Sequence, residues 1–174
     1  MTNEAIQNML DRRSCRSFDG RIISEDELNT ILKAGEYAPT GRGSQSPIIV
    51  AIQDQKLIKK LSRMNASIMG ISMDPFYGAT TVIIVLADKN WPTHVYDGSL
   101  VMGNMLNAAA ALGIGACWIH RAKEEFDSPE GKALLKEWGI EGEYEGIGHC
   151  ILGYPAGPAP EAAPRKADYI KIIR

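Results

Sequence analysis

Three guanidinium groups and a hydroxyl crowd into one short run, Arg12-Arg13-Ser14-Cys15-Arg16. Arginine forks match phosphate oxygens in pairs, and each hydrogen bond to a charged group contributes about 1.5–3 kcal/mol. The run therefore reads as a phosphate cradle. It reads also as a solvated basic end that complements the dipole of a preceding helix, which is the commoner case on spacing alone. A second basic pair, Arg165-Lys166, stands near the other end of the chain. Between them, Pro39-Thr40-Gly41-Arg42-Gly43-Ser44-Gln45-Ser46-Pro47 is turn chemistry throughout.

Other chemistries lack their residues. The dinucleotide fingerprint needs a third glycine that Gly41-x-Gly43, Gly113-x-Gly115 and Gly146-x-Gly148 do not have. Neither a Walker loop nor a Gly-x-Ser-x-Gly elbow occurs. Cys117-x-x-His120 has metal-like spacing, but residues three apart on a strand point to opposite faces, so no metal site is expected. His94 and His149 have no carboxylate or cysteine beside them in a motif and read as packing or surface residues. Asn65-Ala66-Ser67 matches a glycosylation acceptor by chance.

These residues need elements to hold them. A first helix is expected from Asn3 to about Asp11, with Ala5, Ile6, Met9 and Leu10 as its apolar stripe. Ser24 and Glu27 form a capping box that starts a second helix, which Pro39 ends. Ile48–Ile52 is a continuous apolar run, the pattern of a strand buried on two faces. A helix follows over about Gln55–Met69, then a strand over Thr81–Leu86. His94–Leu112 reads as a long helix, apolar nearly all round, to be buried in a large core or a subunit interface. Gly115–Ile119 is a strand, Ser128–Trp138 a helix and Tyr144–Tyr154 a last central strand. The Pro- and Ala-rich tail has no core of its own and is expected to lie along a partner. Helices at both ends and strands between them imply an α+β or α/β sheet covered on both faces.

The whole chain has 174 residues, 45% of them apolar, and a formal charge of −2. One domain with a real core is the expectation. The balance of charge excludes a whole-surface nucleic-acid binder. The longest apolar stretch, Leu100–Ile114, is too short and too polar for a membrane span. Three scattered cysteines and an opening without a basic-then-apolar leader imply a reducing, cytoplasmic setting.

Arg12-Arg13-Ser14-x-Arg16-x-Phe18, then Ala38-Pro39-Thr40 with Gln45, then Leu112-Gly113-Ile114-Gly115, then Gly153-Tyr154-Pro155, then Arg165-Lys166 occur in one order. In that order and over nearly all its length the chain resembles the nitroreductase family of FMN-dependent, homodimeric oxidoreductases. The resemblance implies a three-layer α/β/α fold of α+β class, with a mostly antiparallel central sheet and two copies that share their site. It implies one domain over 1–174, its tail from about 156 packing on the partner subunit.

It also implies roles. Arg12 and Ser14 match positions at the FMN phosphate and ribityl chain, Arg16 a cation at the pyrimidine edge, and Arg13 is expected among the cofactor-binding residues beside them. Arg165 and Lys166 match a basic pair that returns to the phosphate. Pro39, Thr40, Gly41 and Gln45 match a loop against the flavin, partly supplied by the other subunit. Many relatives carry Asn where this chain has Gly43. Asn65 matches a further flavin contact, and also reads as a helix-surface amide. His120 and Arg121 match a strand end whose backbone N–H groups point at flavin N5; many relatives have acid and glycine there. Arg121 would add positive potential that favours the reduced flavin. Phe76 and Tyr77 are expected as an apolar lid that stacks on a planar substrate, or as core filling.

The activity implied is hydride transfer from NADH or NADPH through flavin N5 to a nitroaromatic, quinone or similar small acceptor, by a ping-pong mechanism. The cofactor does the redox work, so no catalytic side chain is expected. The residues also admit a non-catalytic FMN carrier or sensor, a flavin reductase or dehydrogenase for one metabolite, and a phosphoryl-ligand protein without flavin.

Overall fold

The alternation of faces along one strand sets the architecture. The computed structural model of the chain describes residues 2–174. On β2 (Thr81–Asp88), Val82, Ile84 and Leu86 enter one apolar cluster, while Ile83, Val85 and Ala87 enter another. Each successive side chain crosses the sheet, so an unbroken apolar run means burial on both faces. β1 (Pro47–Ile52), β3 (Gly115–Ile119) and β4 (Tyr144–Gly153) complete a four-stranded sheet in the order β1-β2-β4-β3, every neighbour antiparallel. A register shift falls on β2 between Val85 and Leu86.

Helices cover both faces. One cluster joins the sheet to α3 (Gln55–Met69), α5 (Ala122–Asp127) and α6 (Pro129–Glu137). The other joins it to α2 (Glu25–Glu36) and α4 (His94–Ala111). This is the expected three-layer α+β arrangement. Phe76, Phe126, Ile31, Leu61, Met102 and Met105 are among the largest fully buried side chains; burying one such side chain stabilises by about 1.5–3 kcal/mol.

Local rules explain the boundaries. Ser24 and Glu27 close the capping box on α2. Asp54 accepts from the Leu57 N–H to start α3, and Gly70 ends it in the left-handed region at φ 69°. α1 (Glu4–Asp11) is capped by Asn3, yet none of its residues is buried. Its predicted stripe stands in solvent: Ile6, Met9 and Leu10 are all exposed.

Three expectations change. β1 is an edge strand, paired only with β2, and most of its residues are half-buried rather than buried on two faces. Its opening Pro47 suits an edge, where a missing N–H costs no ladder bond. α4 is not enclosed by its own chain, as the core alternative required: Val95, Tyr96, Leu100 and the adjoining Leu112 are exposed while Met102 and Met105 are buried, and the interface alternative is untouched. α5 has no counterpart in the periodicity reading, because six residues carry too little pattern. Among the described residues, no helix is long and apolar enough to cross a membrane.

Candidate functional site

The basic run leaves α1 in extended form and is held against the free edge of β3. Ser14 bridges Ala116 in parallel, and the Cys15 N–H donates to the Ala116 carbonyl at 2.9 Å. Phe18 bridges Pro155, the Asp19 N–H donates to Tyr154 O, and the Ala156 N–H donates to Ser17 O. Gly115 makes this approach possible, since a Cβ there would lie 2.7 Å from Cys15 Sγ. The Tyr154 hydroxyl donates to Glu27 at 2.7 Å, which keeps that carboxyl below its usual range and raises the phenol. The tail's exit from the sheet is thereby tied to α2.

Around this run opens a cleft of about 520 Å³, lined by Asp11 through Ser17, by Ile114 and Gly115, and by Pro155 to Pro160. Three arginines face one acid, Asp11, along that wall. Arg13 folds back, donating to the Leu10 carbonyl at 2.6 Å and the Arg12 carbonyl at 2.8 Å. It thus serves the end of α1, as the dipole reading expected. Arg12 and Arg16 make no ion pair with a carboxylate among the described residues. Arg13 fits the helix-end reading, and Arg12 and Arg16 are left without a carboxylate partner among the described residues.

A second group gathers at the end of β3. Asn65 is fully buried on α3, not a surface amide, and its Nδ2 donates to the His120 carbonyl at 2.8 Å. Its Oδ1 is buried with no partner. His120 is exposed, and Arg121 begins α5 in the left-handed region at φ 77°. A non-glycine residue held there stores strain, as backbones at functional sites often do.

A third group is the loop after α2. Gly41–Gly43 forms one 3₁₀ turn, with Arg42, Gly43 and Gln45 all at positive φ. Asp97 fixes it, accepting from the Gly41 N–H at 2.9 Å and from the hydroxyls of Thr93, Ser46 and Ser44. Burial opposes its charge, but these four donors outweigh burial and hold the Asp97 carboxyl below its ordinary range. Gly41 could not be larger, since its Cβ would meet Thr93 Oγ1 at 2.4 Å. Thr40 and Gln45 line a separate groove of about 480 Å³ with Lys33, Glu36, Ile49 and Val101. Pro39 is exposed beside it.

Within one chain these groups do not share a cavity: the basic run and the Thr40–Gln45 loop line different clefts. Arg165 and Lys166 are exposed and bond only locally, to the Ala163 carbonyl and above the Tyr169 ring. Phe76 is corrected from lid to core. It is 1% exposed, its ring 5.1 Å from that of His149. Tyr77, next to it, is exposed at φ 54°. The sequence reading missed Asp97, whose only local signal is Thr93 one helical turn before it. It also missed the Glu125 carboxylate that meets His149.

The model described as "Nitroreductase family" matches residues 9–72 and 66–154. A protein named "Putative NADH dehydrogenase/NAD(P)H nitroreductase" from Archaeoglobus fulgidus is 32% identical over 157 residues, 87% of this chain and 86% of that one. A nitroreductase with bound FMN from Bacteroides fragilis superposes with a TM-score of 0.91 at 29% identity, over 99% of this chain and 100% of that one. An FMN-dependent nitroreductase from Clostridium difficile gives 0.87 at 25%, over 98% and 99%.

Proposed function

The chain belongs to the nitroreductase family, and from that premise we propose that it is an FMN-dependent oxidoreductase. It draws on NADH or NADPH and reduces a nitroaromatic, a quinone or a similar electron-poor small molecule. The observation that carries this reading is the cleft beside Arg12 and Arg16. Its volume suits a small-molecule site. A phosphate monoester carries about −1.5 to −2 charges, and two guanidiniums without carboxylate partners answer it. The orphaned Asn65 Oδ1 offers a buried acceptor near the β3 end. The residues present therefore fit FMN.

FMN, when bound, supplies the hydride relay between donor and acceptor. The chain's own groups bind and orient. Arg12 and Ser14 hold the phosphate and ribityl chain, Arg165 and Lys166 add charge from the tail, and Arg16 gives positive potential at the ring edge. The backbone of His120–Arg121, held through Asn65, would serve the ring of bound FMN. Donor and acceptor use one slot in succession, which is ping-pong kinetics, and Tyr77 is the aromatic left to meet the acceptor.

A second copy completes the site. Pro39, Thr40, Gly41 and Gln45 reach the cofactor across the seam, and residues 156–174 lie on the partner. The exposed Ile6, Met9, Leu10, Tyr96 and Leu100, with Ile170, Ile172 and Ile173, support an apolar seam. Three free cysteines fit work in the cytoplasm.

The purified protein is expected to be yellow and to oxidise NADH or NADPH with a quinone acceptor. Arg12→Ala with Arg16→Ala should weaken FMN binding at least 100-fold, two charge-assisted contacts being removed. A colourless, flavin-indifferent protein sinks the reading; full occupancy in the double variant sinks the phosphate assignment.

A further inference from the structure

One polar pair is sealed in the layer between the sheet and α3, α5 and α6, and the reading above does not use it. Glu125 on α5 and His149 on β4 are both 0% exposed, with Glu125 Oε2 2.7 Å from His149 Nε2. The contact lacks hydrogen-bond geometry, and Glu125 Oε1 and Oε2 and His149 Nδ1 and Nε2 are all buried without a hydrogen-bond partner. The imidazole lies between Phe76, at 5.1 Å, and Phe126, at 6.4 Å between ring centroids. Such a contact is a weak source of stability, because desolvating both groups offsets their attraction, and apolar residues of similar volume often do as well. Its place in the fold gives it another use.

His149 is paired on both sides, opposite Ile84 of β2 and opposite Ile119, the last residue of β3. It is therefore among the least movable points of the sheet. Glu125 lies one turn into α5, and its N–H donates to the Arg121 carbonyl at 3.0 Å. Its own carbonyl accepts from the Ser128 hydroxyl at 2.6 Å. Beneath the same helix, a Cβ on Gly146 would fall 2.2 Å from the Ala122 carbonyl, so α5 rests directly on β4. Two side-chain contacts thus join the short helix to β4: the exposed hydrogen bond that Lys123 Nζ donates to Glu145 at 2.6 Å, and the buried Glu125–His149 contact, which lies a turn from the strained His120–Arg121 bend. Asn65 secures the other side of the bend through the His120 carbonyl.

We infer that Glu125 and His149 are positioning residues: their buried contact anchors the first turn of α5 to the sheet centre and so fixes the His120–Arg121 backbone at the cofactor site. The inference rests on the FMN reading for its purpose. The anchoring itself is a property of the chain with or without flavin.

The test compares the wild-type protein as purified with Glu125→Leu/His149→Phe and with Glu125→Gln. The double apolar variant should melt within a few degrees of wild type. Its 119–123 segment should exchange amide hydrogens at least tenfold faster, and hydride uptake from NADPH should slow by at least that factor. Glu125→Gln, whose amide can still meet the imidazole, should keep most of the protection. Wild-type exchange in the double variant overturns the inference. So does collapse of the whole fold in both variants, which would make the pair a core support rather than an anchor for the bend. A wild-type protein without flavin counts against the FMN reading alone, because exchange at 119–123 is still read.

Discussion

Arg121 occupies a conformation that glycine adopts freely and other L-residues adopt at a cost of about 1–3 kcal/mol. Part of any gain on replacement is lost to the greater freedom of glycine in the unfolded chain. Arg121→Gly should therefore stabilise the protein by about 1 kcal/mol, raising the melting temperature roughly 2–4 °C. A thermal melt checks this, and an unchanged or lower midpoint means the bend is not strained. Residues acting as neighbours in sequence were legible: Arg12, Ser14 and Arg16 fall in one run and line one cleft. Residues acting through distant partners were not. Asp97 meets Gly41 56 positions away, and nothing beside His149 in the chain announces Glu125. Phe76 was ambiguous because an aromatic among prolines and glycines suits a surface lid and a buried plug equally, and only packing decides.

At the scale of elements, the loop after α2 is a preloaded piece of structure. Arg42, Gly43 and Gln45 keep positive φ because Asp97 holds the loop from below. Asp97→Ala would leave a half-buried amide and several hydroxyls unsatisfied, costing on the order of 3 kcal/mol in a denaturant titration. The sign with pH follows from the lowered carboxyl. The contribution is fully present above the ordinary value of 3.8 and fades as pH falls through the lower, folded one. The stability gap between wild type and Asp97→Ala should thus be widest near neutrality and narrow below pH 3.8. A gap constant across that range would remove Asp97 as the loop's charged anchor. Helix starts were readable because caps are local: Ser24, Asp54 and Ser128 each accept from the backbone as their residue types promise. Strand position in the sheet was not, because β1 and β2 carry similar apolar runs and only pairing makes one an edge.

For the molecule as a whole, residues 155–174 leave the last strand and touch little of their own chain beyond the cleft's rim, every one of them exposed. Truncation after Gly157 is expected to leave the sheet folded but to shift the protein from two copies to one and to release its flavin. Sedimentation with absorbance detection reads both, and a flavin-loaded pair without the tail would refute that role. The three layers were foreseeable from alternating elements and motif order, whereas the separation of the two clefts only emerged in three dimensions. The loose tail has a consequence for biosynthesis. Beyond Ala156, whose N–H meets Ser17 O, its backbone makes no hydrogen bond to the body that precedes it. Every helix and strand among the described residues is complete by Gly153, so the body can form its core without waiting for the tail.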